Sequence, residues 1–119
     1  MRGLIFAFAS LALTASAWGS ALRYAPPPTG LEQYQSDGIT TIAQGGSVTG
    51  TSVVLKATLG NGSTTGQQRL RVEVKPVADA FTGSISAESE IFADGTLVSV
   101  TVSSLAPGDY KWRAWAWCT

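Results

Sequence analysis

The 119-residue chain contains no histidine. That removes the commonest general base and the commonest metal ligand together, and with them any hydrolytic triad built on imidazole. Charge is scarce as well. Only 13% of residues are charged, eight basic against eight acidic, and no run of five or more like charges occurs. Without a basic excess the chain has no general pull on a phosphate backbone, so nucleic acid is not an expected partner. Helical periodicity is missing throughout: no segment carries an apolar stripe at 3.6-residue spacing between caps. What is present is apolar material, 45% of residues, enough to bury the core of one ordinary domain and too much for a disordered tail.

Cysteine occurs once, at Cys118. Exported proteins usually pair their cysteines, which leaves three readings: a buried thiol, half of a disulfide whose partner lies outside this sequence, or a reactive thiol. Export itself is suggested by the N-terminus. "MRGLIFAFASLALTASAWGSA" has one early positive charge, Arg2, and an apolar run over residues 4–13. Small residues then form two cleavage patterns, Ala15-Ser16-Ala17 before Trp18 and Gly19-Ser20-Ala21 before Leu22. This is the layout of a secretory signal peptide over residues 1–21. The run is shorter than the ~20 residues of a membrane span, so no stable span is expected after cleavage, and the location read from it is secreted or cell surface. An uncleaved anchor is the alternative.

Residues 22–30, "LRYAPPPTG", hold three consecutive prolines. Proline fixes φ and removes a donor, so this stretch reads as an extended lead-in, with the folded domain over residues 31–119. From there the pattern has period two. "SVVLKATL" sets Val53, Leu55, Ala57 and Leu59 on one face. "LRVEVKPV" sets Leu70, Val72 and Val74 against Arg69, Arg71, Glu73 and Lys75. "TLVSVTVSSL" alternates Val98, Val100 and Val102 with Ser99, Thr101 and Ser103. "YKWRAWAW" sets Tyr110, Trp112, Ala114 and Ala116 against Lys111, Arg113, Trp115 and Trp117. Such alternation marks half-buried antiparallel strands. Residues 33–34, 39–43, 81–85 and 90–92 are weaker strand candidates. Turn chemistry separates them: "SDG" at 36–38, "QGGS" at 44–47, "GNGS" at 60–63, "ADG" at 93–95 and "APGD" at 106–109. The fold class is therefore all-β, an antiparallel β-sandwich of six to seven strands.

"VTVSSLAPGDYKWRAWA" resembles the corner of a fibronectin type III or closely related immunoglobulin-like domain. The matching residues are Val100 and Val102, Leu105, Pro107-Gly108, Tyr110 and Arg113. The resemblance implies an immunoglobulin-like sandwich in which Leu105 plugs the core, Pro107 and Gly108 turn the chain to the other sheet, and the Tyr110 hydroxyl bonds backbone near the turn. It also implies a further strand beside "YKWRAWAW", and only Cys118 and Thr119 follow Trp117. Three expectations follow. The protein continues past this fragment; or an earlier segment such as residues 39–43 covers the edge; or a strand from another molecule completes the sheet.

No catalytic set or cofactor site emerges, and the reading is non-enzymatic. Glu88 and Glu90 share a strand face without a cleft. One aspartate in each of "SDG" and "ADG" falls far short of the six to eight oxygens calcium takes. "GNGSTTG" lacks the lysine and following helix of a phosphate loop. Trp115 and Trp117, two residues apart on the outward face, are the candidate binding surface, suited to stacking on a sugar ring. The expected role is an exported spacer, binding or adhesion module. The alternatives are a fibre subunit completed by a donated strand, or an accessory carbohydrate-binding module. Expected partners are other domains of the same polypeptide, another protein's strand, or a polysaccharide.

Overall fold

In the computed structural model the described residues are 24–118, together with the backbone of Ser10 and Leu11. The export-signal reading of residues 1–21 therefore lies outside the described residues, apart from that short piece of backbone. Strands and turns account for the described chain, which contains no helix. In order the strands are β1 (Ser10–Leu11), β2 (Thr29–Tyr34), β3 (Thr41–Ile42), β4 (Val53–Thr58), β5 (Gln67–Pro76), β6 (Ala87–Glu88), β7 (Phe92–Ala93), β8 (Leu97–Val102) and β9 (Tyr110–Cys118). They build two sheets. The first runs β3-β2-β4-β8; the second runs β1-β9-β5-β6, with β7 also paired to β5. Every pairing is antiparallel except that of β1 with β9.

The alternation in sequence becomes inside and outside in the fold. Leu55 and Ala57 of β4 and Val98, Val100 and Val102 of β8 meet Leu70 and Val72 of β5 and Trp112, Ala114 and Ala116 of β9 in one buried cluster. Two sheets sharing one core are consistent with a β-sandwich. β4 and β8 stay in unbroken register from Val53 opposite Val102 to Thr58 opposite Leu97. β5 and β9 do so from Gln68 opposite Cys118 to Pro76 opposite Tyr110. A single-residue slip in either pair would turn its apolar set to solvent.

Turn residues do local work between these ladders. Asp37 Oδ1 accepts from the backbone N–H groups of Ile39 and Thr40 at 2.8 and 2.9 Å, and Gly38 takes a φ of +72°, a conformation that disfavours a Cβ.

Three parts of the chain differ from their sequence reading. The proline-rich lead-in is packed into the domain, with Ala25, Pro26 and Pro28 buried and Ala25 part of the core cluster. Thr64 N donates to Tyr24 O at 3.0 Å and Tyr24 N to Thr64 Oγ1 at 2.6 Å. Gly60 makes this closeness possible, because a Cβ there would fall 2.8 Å from Pro26 Cγ. Second, residues 81–85 form a loop, not a strand. Third, residues 39–43 contribute the two-residue β3, which pairs with β2 in the first sheet and so does not cover β9.

Candidate functional site

The 103–109 turn carries the chain from β8 in the first sheet to β9 in the second. Leu105 is half-buried and packs on the core, as does Tyr110. Pro107 is exposed and Gly108 half-buried at the bend. The Tyr110 hydroxyl donates to Ala106 O at 2.7 Å. The ring thus packs inward while its polar tip closes the turn from which the strand starts.

Beyond the turn, β5 and β9 lie side by side, and their outward residues form rows. Arg69 stands opposite Trp117, Arg71 opposite Trp115, Glu73 opposite Arg113 and Lys75 opposite Lys111. Period two fixes which residues of each strand face out, and register fixes which of them meet. Trp117 is 48% exposed, and the Arg71 guanidinium lies 4.5 Å from its ring centre. Trp115 is half-buried, with the Arg113 guanidinium at 5.7 Å. Arg71 Nε also donates to Glu88 Oε2 at 2.6 Å. Five of the chain's eight basic residues therefore lie on one sheet face, beside the carboxylates of Glu73 and Glu88.

Glu73 is the exception on this face. Its side chain is fully buried, although its neighbours in the strand, Arg71 and Lys75, are only part-covered. The loop after β5 folds back over it. The Thr82 and Gly83 N–H groups donate to the carboxylate at 2.7 and 3.0 Å, while Arg113 reaches Oε1 through Nε at 3.0 Å and through a terminal nitrogen at 2.9 Å. Burial pushes the carboxyl pKa up, but these donors outweigh it, and the net direction is below the usual carboxylate value. Phe81 of the same loop sits 4.7 Å from both the Lys111 and the Arg113 cationic groups. The loop thus covers Glu73, while the cations around it, Lys75 and Arg113, stay part-exposed like Arg69 and Arg71 at the other end.

A second carboxylate ties loops together. Asp94 accepts from Ser63 Oγ at 2.6 Å, from the Gly62 and Ser63 N–H groups at 3.1 and 3.0 Å, and from Gln68 Nε2 at 2.8 Å. The Ser63 hydroxyl leads the donors that hold its pKa below the usual value. Gln68 is fully buried; its Nε2 also donates to Gly60 O at 2.9 Å, and its Oε1 has no hydrogen-bond partner among the described residues. Cys118 is a buried thiol, 3.2 Å from Thr65 Oγ1. Burial pushes its pKa up, and hydrogen bonds from the 63–65 loop, led by the Thr65 hydroxyl, bring it net below the ordinary thiol value. Among the described residues no group of three or more metal-ligating side chains gathers, and no helix is long and apolar enough to cross a membrane. A cavity of about 20 Å³ between the sheets, lined by Ile42, Val48, Leu105 and Trp112 among others, has room for one water at most.

No protein family, curated protein or solved structure matches this chain. The class is set by the coordinates alone: an all-β protein of two sheets around one core. Sequence reasoning placed Trp115 and Trp117 outward but not beside particular cations. Arg69 and Arg71 were visible as the polar half of an alternating strand; what joins them to the tryptophans is the β5–β9 register. Glu73 gave no signal of burial, because the loop that covers it, at Thr82 and Gly83, carries no periodic pattern.

Proposed function

We propose that this chain is an exported, non-catalytic β-sandwich module of the immunoglobulin-like, fibronectin type III-like kind, serving as a spacer or adhesion unit in a secreted or cell-surface protein. The observation that carries this reading is the Tyr110–Ala106 bond at the turn linking the two sheets, the tyrosine-corner arrangement of such sandwiches. The strand order supports it: β2-β4-β8 on one side and β6-β5-β9 on the other. The buried carboxylate of Glu73 and the clustered one of Asp94 are occupied by the fold's own donors, which suits a structural module better than acid–base work. Expression of the whole chain in a secreting host, followed by mass spectrometry of the released product, tests the export half. A product starting at Trp18 or Leu22 is the expected result, and retention of the intact chain in the cytoplasm overturns it.

A second reading has its own observation. The side of β9 away from β5 pairs, among the described residues, only with the Ser10–Leu11 backbone, opposite Arg113 and Ala114. An extended segment from outside the domain is accepted there, which favours completion of the sheet by an added strand. If so, an apolar strand peptide raises the unfolding temperature of the purified protein; no shift at saturating peptide removes this reading.

A further inference from the structure

We propose that the outer face of the second sheet, from Arg69 and Trp117 at one end to Lys111 at the other, binds an acidic polysaccharide, a chain of pyranose rings bearing carboxylates. The inference deepens the reading of the chain as a surface-presenting module and rests on it.

Charge distribution is the first ground. The whole chain is neutral, with eight basic and eight acidic residues. The β5–β9 face nevertheless holds five of the eight cations against the carboxylates of Glu73 and Glu88, a local excess of three. The rest of the molecule is correspondingly acidic. A ligand with spaced negative charges is drawn toward this face.

The second ground is the state of the guanidinium groups. Arg71 is stacked on Trp117 at 4.5 Å and pinned by Glu88 at 2.6 Å. Arg113 is held between Phe81, Trp115 and Glu73. A guanidinium carries five N–H donors in a planar fork matched to a carboxylate. Arg71 engages Glu88 through Nε, and Arg113 engages Glu73 through Nε and one terminal nitrogen. Among the described residues, terminal N–H groups on both therefore remain for a ligand carboxylate. The face already uses guanidinium–carboxylate chemistry twice within itself. Side chains fixed in advance lose little entropy on binding.

The third ground is aromatic. Trp117 is nearly half exposed beside these cations, and outward residues two apart on a strand repeat at about 6.8 Å. The exposed part of the Trp117 indole offers the C–H face of a sugar an apolar contact, and the guanidinium groups beside it offer its carboxylate a donor. A phosphate polymer meets the same cations without a pyranose face to lie on the indole, so a thymidine oligonucleotide is the discriminating control.

The test is calorimetric titration of the purified full-length chain with polygalacturonate, with dextran as a neutral polysaccharide and a thymidine oligonucleotide as a phosphate polymer. Binding of polygalacturonate, weakening with added salt and at least tenfold tighter than either control, is expected. Trp117→Leu, which keeps an apolar side chain at a half-exposed position, lowers the affinity about tenfold. Lys111→Gln reduces the salt slope by about one, and Thr101→Ala on the opposite sheet changes neither. No binding at low salt, binding indifferent to Trp117→Leu, or oligonucleotide binding as tight as that of polygalacturonate each overturns the proposal. Thermal unfolding of the same samples separates the two failures. A cooperative transition with no binding sinks the ligand alone, while absence of a cooperative fold sinks the module reading beneath it.

Discussion

Trp112 on β9 donates its indole N–H to Gln33 Oε1 on β2 at 2.8 Å, a buried hydrogen bond that joins the two sheets across the core. Gln33 Nε2 in turn donates to Ala43 O at 3.0 Å, so one amide satisfies the indole and anchors the chain after β3. Gln33→Leu keeps the volume and strands both partners. A buried donor left without an acceptor costs about 1–3 kcal/mol, so the urea midpoint falls with an unchanged m-value. An unaltered midpoint shows that water replaces the amide at no cost.

The Glu73 carboxyl pKa lies below its ordinary value, which sets a sign for pH dependence. A carboxyl with a depressed folded-state pKa contributes stability that is complete above its unfolded pKa and lost as pH falls through the folded one. Stability is therefore flat from about pH 7 to about pH 5 and declines below that. Glu73→Gln lowers stability near neutrality by about 2–3 kcal/mol, because Arg113 loses its counter-charge while the loop N–H groups keep only a weaker acceptor. It also removes part of the acid-side decline. The part that remains belongs to Asp94 and Asp37, whose pKa values are lowered as well, and Asp94→Asn in the same background flattens it further. Parallel acid limbs in wild type and Glu73→Gln argue against this assignment.

Tyr110→Phe isolates the hydroxyl from the ring. The ring packs on the core and stays; the bond to Ala106 O goes. That bond is at the surface, so the loss is about 0.5–1.5 kcal/mol, read as a lower midpoint in thermal or urea unfolding. Tyr110→Ala removes the packing as well and costs more than Tyr110→Phe. Equal losses in the two variants place the whole contribution in the hydroxyl.

Gly60 permits the lead-in to lie against the domain, since a Cβ there meets Pro26 Cγ at 2.8 Å and Pro26 Cβ at 3.0 Å. Gly60→Val pushes residues 24–28 off the surface, exposes Ala25 and costs about 1–3 kcal/mol. Limited proteolysis then cuts before Thr29 in the variant and not in the parent. Identical digestion patterns contradict the contact.

Much of this architecture was legible because period two carries strand direction and face together. Leu70, Val72, Val98, Val100, Trp112, Ala114 and Ala116 are all buried, as alternation alone required. What period two cannot supply is contact between strands. Arg71 was visibly outward and Trp117 visibly outward, yet their stacking depends on register across 46 residues of chain. Glu73 stood among outward charges and reads as solvated; its cover comes from the N–H groups of Thr82 and Gly83, in a loop with no periodic signal. The lead-in was read as a spacer because proline forbids helix, but the same stiffness lets Pro26 and Pro28 be buried at small entropic cost.

The flank of β9 away from β5 yields the last prediction. β5 pairs with one side of Tyr110–Cys118 over nine residues, while the other side meets only Ser10 and Leu11 among the described residues. In a strand, successive N–H groups point to opposite flanks. Amides directed at β5 are therefore locked in the ladder and exchange slowly, while those directed away exchange quickly wherever no strand lies alongside. Hydrogen exchange followed by NMR on protein lacking residues 1–21 shows protection alternating residue by residue along β9. Addition of a strand peptide that occupies the flank converts the fast set to slow and leaves the other set unchanged. Removal of β1 accelerates the outward amides nearest Arg113 and Ala114 most, because they are opposite it. Uniformly slow exchange along β9 in the shortened protein, with no peptide present, demonstrates that another segment already covers this flank and rules out strand addition there.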